Sequence, residues 1–168
     1  MSITFRKAQN TDQHEIWQIL QQGILRRKHD GSDQWQDGYP NLAVVQQDIE
    51  KGVGFVLTDS QNIIGYCAIL INDEPAYDGI EGNWITTGSF VVFHRIVIAD
   101  SFLGNGYARL IFKYIEDYAL SKSVFSIKAD TNFDNIVMLN LFQKLGYKYC
   151  GEVYFRGSPR KAYEKVLR

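Results

Sequence analysis

The stretch from Leu103 to Arg109 carries the strongest chemical signal in this sequence. It follows an apolar run at positions 90–99 and precedes a run typical of a helix at 109–121. Glycines at a strand-to-helix junction leave backbone N–H groups uncovered by side chains, and the start of a helix adds a partial positive charge. We therefore predict a socket for a phosphate or pyrophosphate group, formed by Leu103, Gly104, Asn105, Gly106, Tyr107, Ala108 and Arg109.

Two common phosphate-binding motifs do not fit this segment. A P-loop requires Gly-x-x-x-x-Gly-Lys-Ser/Thr, and no Lys-Ser/Thr pair follows Gly106. A dinucleotide-binding fold places Gly-x-Gly-x-x-Gly after its first strand, whereas here the third glycine is missing and the segment lies beyond mid-chain. A third interpretation is a loop that binds the pyrophosphate of an acyl-CoA, and a nucleotide-binding protein stays an alternative.

The composition is that of an ordinary globular protein. With 168 residues, of which 45% are hydrophobic and 22% charged, the chain is predicted to form one domain over residues 1–168. A net charge of −1 argues against a nucleic-acid partner, because such binding needs a basic face. No apolar run reaches the roughly 20 residues that span a bilayer, so we expect no membrane association.

The termini and cysteines add two expectations. The first residues lack the layout of a signal peptide, which predicts a cytoplasmic protein. The two cysteines, Cys67 and Cys150, lie in strand-like segments without metal-ligand spacing. We therefore expect no metal site and assign both cysteines to packing.

Apolar periodicity and breakers give the elements that must position the glycine loop. Strands are predicted at 3–7, 54–58, 63–71, 90–99, 124–129, 147–155 and 162–167, and helices from a cap at Thr11 to Lys28 and at 42–51, 109–121 and 134–145. Residues 72–89 are predicted to be a loop-like insert, and Gly157-Ser158-Pro159 a turn. This order predicts an α/β (α+β) fold, a mixed sheet with helices on both faces.

Two motifs in order give a resemblance to a known family. Leu103-Gly104-Asn105-Gly106-Tyr107-Ala108 is similar to the pattern Arg/Gln-x-x-Gly-x-Gly/Ala that follows a strand, and the segment from Asn135 to Tyr147 is similar to Asn-x-x-Ala-x-x-Leu-Tyr-x-Lys-x-Gly-Phe. With about 30 residues and a strand between them, these motifs resemble those of the GNAT superfamily of acyl-CoA-dependent N-acyltransferases. The chain departs from the patterns at Leu103, at Met138, which replaces Ala, and at Phe142, which replaces Tyr.

The resemblance implies a fold and a cofactor. It implies a mostly antiparallel sheet with one splayed strand pair, in which the pantetheine arm of acetyl-CoA or CoA pairs with backbone groups of Ile96, Val97 and Ile98, as an added strand would. It also implies that Asn135 hydrogen-bonds the pantetheine arm, although a helix cap explains Asn135 equally well. Since Leu103 cannot donate to a phosphate, backbone amides are expected to hold the pyrophosphate, with help from Arg109.

The reaction implied is transfer of an acetyl group from acetyl-CoA to a primary amine by direct attack. Three side chains are candidates for the general base: Asp130 at the end of a strand, His94 within a strand and Glu81 in the insert. Each also has a structural explanation, as a polar strand end, a half-buried histidine and a solvated loop charge. A strand N–H near Val97 or Ile98 is the candidate donor to the oxyanion.

Phe142 stands where family members have a tyrosine that protonates the leaving thiolate, so we group it with the cofactor-binding residues. Phenylalanine cannot donate a proton. The general acid therefore lies elsewhere (Tyr147 and Tyr107 are the substitutes considered), or water serves, or the chain binds acyl-CoA without much catalysis. The last option defines a rival interpretation, a non-catalytic acyl-CoA-binding or regulatory module.

Aromatic residues in two loops are candidates for the acceptor pocket. Trp35 and Tyr39 follow the first helix, and Tyr77 and Trp84 lie in the insert, beside several acidic residues that suit an amine. Core packing of the tryptophans is the alternative. We expect the partner to be a small-molecule or peptide amine, and a homodimer is the default assembly.

Overall fold

The computed structural model describes residues 2–168 and shows the predicted strands and helices in their predicted order, with one additional short strand, β4 (Glu81–Gly82), between the second and third helices. The elements are β1 (Thr4–Lys7), α1 (Gln13–His29), α2 (Leu42–Glu50), β2 (Gly54–Thr58), β3 (Ile63–Ile71), β4 (Glu81–Gly82), β5 (Val91–Ile98), α3 (Tyr107–Ser121), β6 (Ser126–Thr131), α4 (Ile136–Lys144), β7 (Lys148–Phe155) and β8 (Ser158–Val166). Short 3-10 helices cover Asn10–Asp12, Pro75–Gly79 and Asp100–Phe102.

The strands form one mixed sheet in the order β1-β2-β3-β5-β6-β8-β7-β4. β1–β2, β2–β3, β6–β8, β7–β8 and β4–β7 pair antiparallel. β5 and β6 pair in parallel, with Val91 opposite Ile127 and Val92 opposite Lys128. Both strands of the predicted hairpin, Gly54–Thr58 and Ile63–Ile71, have the expected bounds.

The chain divides into two compact units, one comprising residues up to Ile69 together with His94–Tyr114, the other Leu70–Phe93 together with Ile115–Arg168. In the first unit, α1 buries one face at Ile16, Ile19 and Leu20. Gly23 continues this face, and a Cβ there would lie 2.8 Å from the Val97 side chain and 3.1 Å from that of Trp35. The missing side chain thus lets α1 pack directly against β5.

The start of α1 differs from the prediction that Thr11 caps it. Thr11 lies inside a 3-10 turn, and the Asp12 carboxylate accepts the Gln9 N–H at 2.7 Å and a bidentate pair of bonds from Arg6. This ion pair holds the pKa of Asp12 below its ordinary value, mainly through the Arg6 hydrogen bond. The carboxylate, with two acceptor oxygens, satisfies more donors than a threonine hydroxyl does.

In the second unit, the predicted loop-like insert is an ordered part of the sheet. Its residues Glu81 and Gly82 form β4 and pair with Glu152 and Gly151 of β7. The fully buried Glu164 accepts the Ile85 N–H at 2.6 Å. The same carboxylate accepts hydroxyl donors from Thr86 and, at 2.7 Å, from Ser126. A buried carboxylate on β8 therefore anchors the insert, which local sequence patterns could not reveal.

Other element ends shift by a few residues. α3 begins at Tyr107 rather than 109, β6 covers Ser126–Thr131 rather than 124–129, and α4 covers Ile136–Lys144 rather than 134–145. β8 begins at Ser158, four residues before the predicted start, because the turn falls on Arg156 and Gly157, with φ of 49° and 75°. Pro159 is therefore a strand residue.

Candidate functional site

The glycine loop leaves open space above its backbone. Gly104 and Gly106 have φ of 79° and 80°, a left-handed conformation that favours glycine, and no atom lies within 4 Å of a Cβ built at either position. The side chain of Asn105 turns back and donates to the carbonyls of Phe102 and Leu103 at 3.3 Å. The loop is therefore held in shape by its own side chain while its outer face stays uncovered.

The loop leads directly into the start of α3. Leu110 N–H donates to the Gly106 carbonyl at 3.1 Å, which begins the helical ladder and leaves the amides of Tyr107, Ala108 and Arg109 at the open end of the helix. Arg109 is exposed on the first turn, and the exposed Leu103 side chain is apolar. Backbone amides and one arginine at a helix start form a site for an anion.

Helix α1 ties the end of β5 to this loop. Arg26 donates to the Ile98 carbonyl at 2.9 Å and forms an ion pair with Asp100. Gln22, one turn earlier, accepts the N–H of Asp100 at 2.8 Å. The Ile98 carbonyl, which the resemblance assigned to pantetheine, thus already accepts one hydrogen bond and has one lone pair left.

The backbone of β5 faces two edges in alternation. The Ala99 N–H donates to Ile64 of β3 at 2.8 Å, and the Val97 carbonyl lies 2.9 Å from the position of a Cβ at Gly65, also on β3. Successive residues of a strand direct their backbone groups to opposite edges. Val97 therefore faces β3, while Ile96 and Ile98 present their N–H and C=O groups to the other edge.

A buried ion pair stands at the middle of β5. Arg95 donates to Asp48 of α2 twice, at 2.7 and 3.0 Å, and to the Tyr39 hydroxyl at 2.6 Å. The Tyr66 hydroxyl donates to the same carboxylate at 2.5 Å. Burial opposes the charge of Arg95, but Tyr39 and Asp48 outweigh it and raise its pKa. The sequence reasoning missed this network, for which a charged residue inside an apolar strand was the only signal.

The predicted acceptor residues of the first unit have structural roles. Trp35 is partly buried and packs against the apolar core and Gly23 of α1. Tyr39 is half-buried and accepts a hydrogen bond from Arg95. Both side chains are also partly exposed, which is compatible with the predicted contact with an acceptor.

In the second unit, the structure brings together Asp130, Tyr77 and Trp84. The Tyr77 hydroxyl donates to Asp130 at 2.6 Å, and the Trp84 indole N–H donates to the Tyr77 carbonyl at 3.0 Å. The two rings pack at a tilt of 42° with their centroids 4.9 Å apart. Burial, and after it the Asp130 carboxylate, raises the pKa of Tyr77 well above its ordinary value. Tyr77 therefore remains a donor that orients the carboxylate.

The same aromatic cluster already contains an amine. Lys128, only 5% exposed, places its Nζ 4.5 Å from the centre of the Trp84 ring and 4.3 Å from that of Phe90. Burial lowers its pKa from the ordinary value of 10.5. The amine of Lys128 therefore already lies over the ring of Trp84, a residue predicted to form a wall of the acceptor pocket.

The other candidate bases lie in different surroundings. Glu81 is exposed on the edge strand β4 and accepts the Tyr154 hydroxyl at 2.9 Å, which raises the pKa of Tyr154 to about 12. His94 is half-buried within β5.

The second motif forms the start and core of α4. The Asn135 side chain accepts the Met138 N–H at 3.2 Å, so it caps the helix, as one of its two predicted roles requires. Phe142 is fully buried against the rings of Phe93, Tyr147 and Tyr163, at centroid distances of 6.4, 5.2 and 4.8 Å. Its ring thus belongs to the core of the second unit.

Two further observations concern the described residues 2–168. They contain no group of three His, Cys, Asp or Glu side chains placed to hold a metal ion, and no helix long and apolar enough to cross a membrane. Cys67 and Cys150 are buried free thiols, and burial raises the pKa of both.

Comparisons with known proteins agree with this geometry. The sequence matches the acetyltransferase (GNAT) family over residues 14–147. A GNAT-family acetyltransferase from Streptococcus agalactiae is 31% identical, with a TM-score of 0.91 over 99% of this chain and 96% of that one. No curated protein matches the chain.

More distant structures share the fold alone. A GNAT-family acetyltransferase from Listeria monocytogenes is 21% identical, with a TM-score of 0.76 over 98% of this chain and 95% of that one. YncA from Salmonella typhimurium, solved with its cofactor acetyl-CoA, is 15% identical, with a TM-score of 0.66 over 100% and 95% of the two chains. The predicted fold is thereby confirmed, and the family match over most of the sequence shows that this chain belongs to the GNAT family of acetyltransferases.

Proposed function

We propose that the protein is an N-acetyltransferase that moves an acetyl group from acetyl-CoA to a primary amine by direct attack. The observation that carries this proposal is the open glycine loop at the start of α3, with Gly104 and Gly106 both in left-handed conformations and nothing above them. Family membership supports acetyl transfer in general. The choice of acetyl-CoA as donor is supported by the acetyl-CoA complex of the Salmonella structure.

The chain offers suitable groups for holding the cofactor. The amides of Tyr107, Ala108 and Arg109 would hold the pyrophosphate, and the exposed Arg109 side chain would add a positive charge. Ile96 and Ile98, rather than Val97, present the backbone groups that an added strand-like arm would use. When bound, acetyl-CoA supplies the thioester that the amine attacks.

The amine must lose a proton before it can attack. An alkyl ammonium with a pKa near 10.4 needs about 4–5 kcal/mol to expose its lone pair at pH 7, whereas an α-amino group needs only about 1 kcal/mol. We assign the role of general base to Asp130, because Tyr77 orients its carboxylate from 2.6 Å. His94 and Glu81 remain the other candidates, but Glu81, on the edge strand β4, already accepts a hydrogen bond from Tyr154 of β7.

The remaining steps need a donor to the oxyanion and a fate for the thiolate. The N–H of Ile96 or Ile98 is the natural donor, because the backbone of Val97 faces β3. Phe142 cannot protonate the leaving thiolate, because its ring carries no acidic group. A thiolate with a pKa near 8.5 leaves tolerably without full protonation, so water can complete the step.

A second function is favoured by two departures from the family patterns. Leu103 offers no side-chain donor to a phosphate, and Phe142 has no acidic proton to give to a thiolate. Both suit a non-catalytic acyl-CoA-binding or regulatory module.

Steady-state release of free CoA, measured with a thiol reagent over a panel of amines, separates the two functions. The panel includes a polyamine, an aminoglycoside, free amino acids and peptides with a free N-terminus or lysine. Turnover with any amine supports the enzyme, whereas tight binding of acetyl-CoA without turnover on any of them supports the binding module. The absence of calorimetric heat with both CoA and acetyl-CoA would refute both.

A further inference from the structure

Arg95 adopts a backbone conformation that is unusual in a strand. It lies within β5 with φ of 57°, the left-handed region that non-glycine residues rarely occupy. Such a conformation persists only where the surrounding structure holds it in place. Its position, directly before Ile96, makes it the last residue before the segment that would contact the cofactor.

The Arg95 side chain provides that hold. Its guanidinium forms a two-bond pair with Asp48 at 2.7 and 3.0 Å, and the two side chains are only 10% and 6% exposed. Tyr39 accepts a third bond from the guanidinium at 2.6 Å, and Tyr66 donates to the Asp48 carboxylate at 2.5 Å. Because three guanidinium nitrogens each donate a hydrogen bond, the side chain of Arg95 restricts the position of its own backbone.

The irregularity at Arg95 decides which residues face each edge of β5. An extra or twisted residue in a strand inverts the alternation of those that follow, as in a β-bulge. After Arg95, the Ala99 N–H donates to Ile64 of β3 and the Val97 carbonyl faces the same strand. Ile96 and Ile98 are thereby directed to the opposite edge.

We propose that Arg95 is a positioning residue: its buried pair with Asp48 holds the left-handed turn in β5 that aims the backbone groups of Ile96 and Ile98 at the thioester arm. This inference rests on the proposed function. Arg95 itself touches no reacting atom in this account, and it acts only through the strand that it holds.

Two double variants test the proposal. Arg95→Met with Asp48→Asn removes both charges, so that neither is left buried alone, and keeps an acceptor for Tyr66. Arg95→Gly with Asp48→Asn removes more side chain, but glycine adopts the left-handed conformation without strain. We expect kcat to fall about 10- to 100-fold in the methionine variant, because a shift of about 1 Å in a reacting group has effects of that size.

The decisive result is which of the two double variants has the higher kcat. If Arg95 positions the strand, the glycine variant keeps a higher kcat than the methionine variant although it leaves the larger cavity. If the pair only stabilises the fold, the glycine variant is the less stable and no more active. A kcat in the methionine variant equal to that of the wild type, or a glycine variant no better than the methionine variant, would overturn the proposal.

A matched pair elsewhere serves as control. Arg6 and Asp12 form a bidentate pair at 2.7 and 3.0 Å that joins β1 to the 3-10 turn before α1. Arg6→Met with Asp12→Asn is expected to lower the melting temperature while kcat and the acetyl-CoA Kd stay unchanged. A parallel loss of kcat in this control would show that activity follows general stability, and would also overturn the proposal.

The wild-type protein is measured first, by calorimetry with acetyl-CoA and by CoA release. A wild type that neither binds acetyl-CoA nor turns over would refute the proposed function. A wild type that binds and turns over, next to Arg95 variants that fail the order above, would refute only the positioning role.

Discussion

Placing a carboxylate on the glycine loop is the most direct perturbation of the proposed cofactor site. Gly106→Glu adds a side chain at a position where no atom lies within 4 Å of the new Cβ, so the folded chain has room for it. The remaining cost to stability comes from φ of 80°, which a non-glycine residue adopts at about 1–2 kcal/mol. For a chain of this size, we expect the melting temperature to fall by about 2–8 °C.

The effect on binding should be much larger. A carboxylate in the open space above the loop would lie about 4 Å from a phosphate held by the amides of residues 107–109. At an effective dielectric constant of about 20, two like unit charges at that distance repel by about 4 kcal/mol. This energy corresponds to a loss of about a thousandfold in affinity for CoA.

Two matched variants separate the effects of the carboxylate charge and of its position in the loop from the effect of backbone strain. Gly106→Gln has nearly the same shape without the charge, and should lose much less affinity than Gly106→Glu. Gly157→Glu puts the same residue at φ of 75°, also with nothing within 4 Å, but in the turn between β7 and β8. It should show a similar loss of stability with unchanged affinity.

Isothermal calorimetry with CoA and acetyl-CoA measures all of these variants, and thermal unfolding gives their stability. If the affinity of Gly106→Glu for CoA lies within threefold of the wild-type value, a difference of about 0.65 kcal/mol, the loop does not bind the cofactor. Equal losses in Gly106→Glu and Gly157→Glu would point to a global effect and would equally refute the electrostatic reasoning.

Three more outcomes are expected. Asp130→Asn should lower kcat by about 10²- to 10⁴-fold with little change in CoA affinity, because the amide still accepts from Tyr77 but takes no proton; wild-type kinetics would exclude Asp130 as base. Glu164→Gln turns an NH₂ group towards the donors of Ile85, Thr86 and Ser126. The melting temperature should therefore fall by about 2–12 °C, and proteolysis of residues 72–89 should accelerate. An unchanged melting temperature would contradict the role of Glu164 as an anchor. Burial lowers the pKa of Lys128 in the folded state, so between that lowered pKa and 10.5 the unfolded chain binds more protons and the free energy of unfolding rises with pH. Lys128→Met should remove this rise, and identical pH profiles of the variant and the wild type would contradict the prediction.

Local patterns in the sequence were sufficient for most of the elements. The hairpin of β2 and β3 was predicted to the residue because apolar runs of strand length flank a polar turn, in which Asp59 accepts the N–H groups of Gln61 and Asn62. The glycine loop was equally visible, since only glycine adopts φ near 80° freely at a strand-to-helix junction. The family followed from the same loop together with the motif at Asn135.

Errors arose where a residue outside the predicted element determines the local structure. Thr11 was taken as a helix cap, but Arg6 and the adjacent turn make Asp12 the acceptor. The insert was taken as a loop, but pairing with β7 and the buried Glu164 give it a strand and an anchor. Glu164 and β7 are far from the insert in the sequence, so only the tertiary structure could show that they anchor it.

The chemistry of this chain divides in the same way. The sequence by itself determined the open glycine loop for which we propose pyrophosphate binding, because amide exposure depends on neighbouring residues and their small side chains. Tertiary structure alone decided that Asp48 meets Arg95 across 47 residues, that the Lys128 amine lies over the rings of Trp84 and Phe90, and that Ala99 pairs with Ile64 of β3. Burial, long-range ion pairs and backbone direction depend on which elements pack together, and that information is spread over the whole chain.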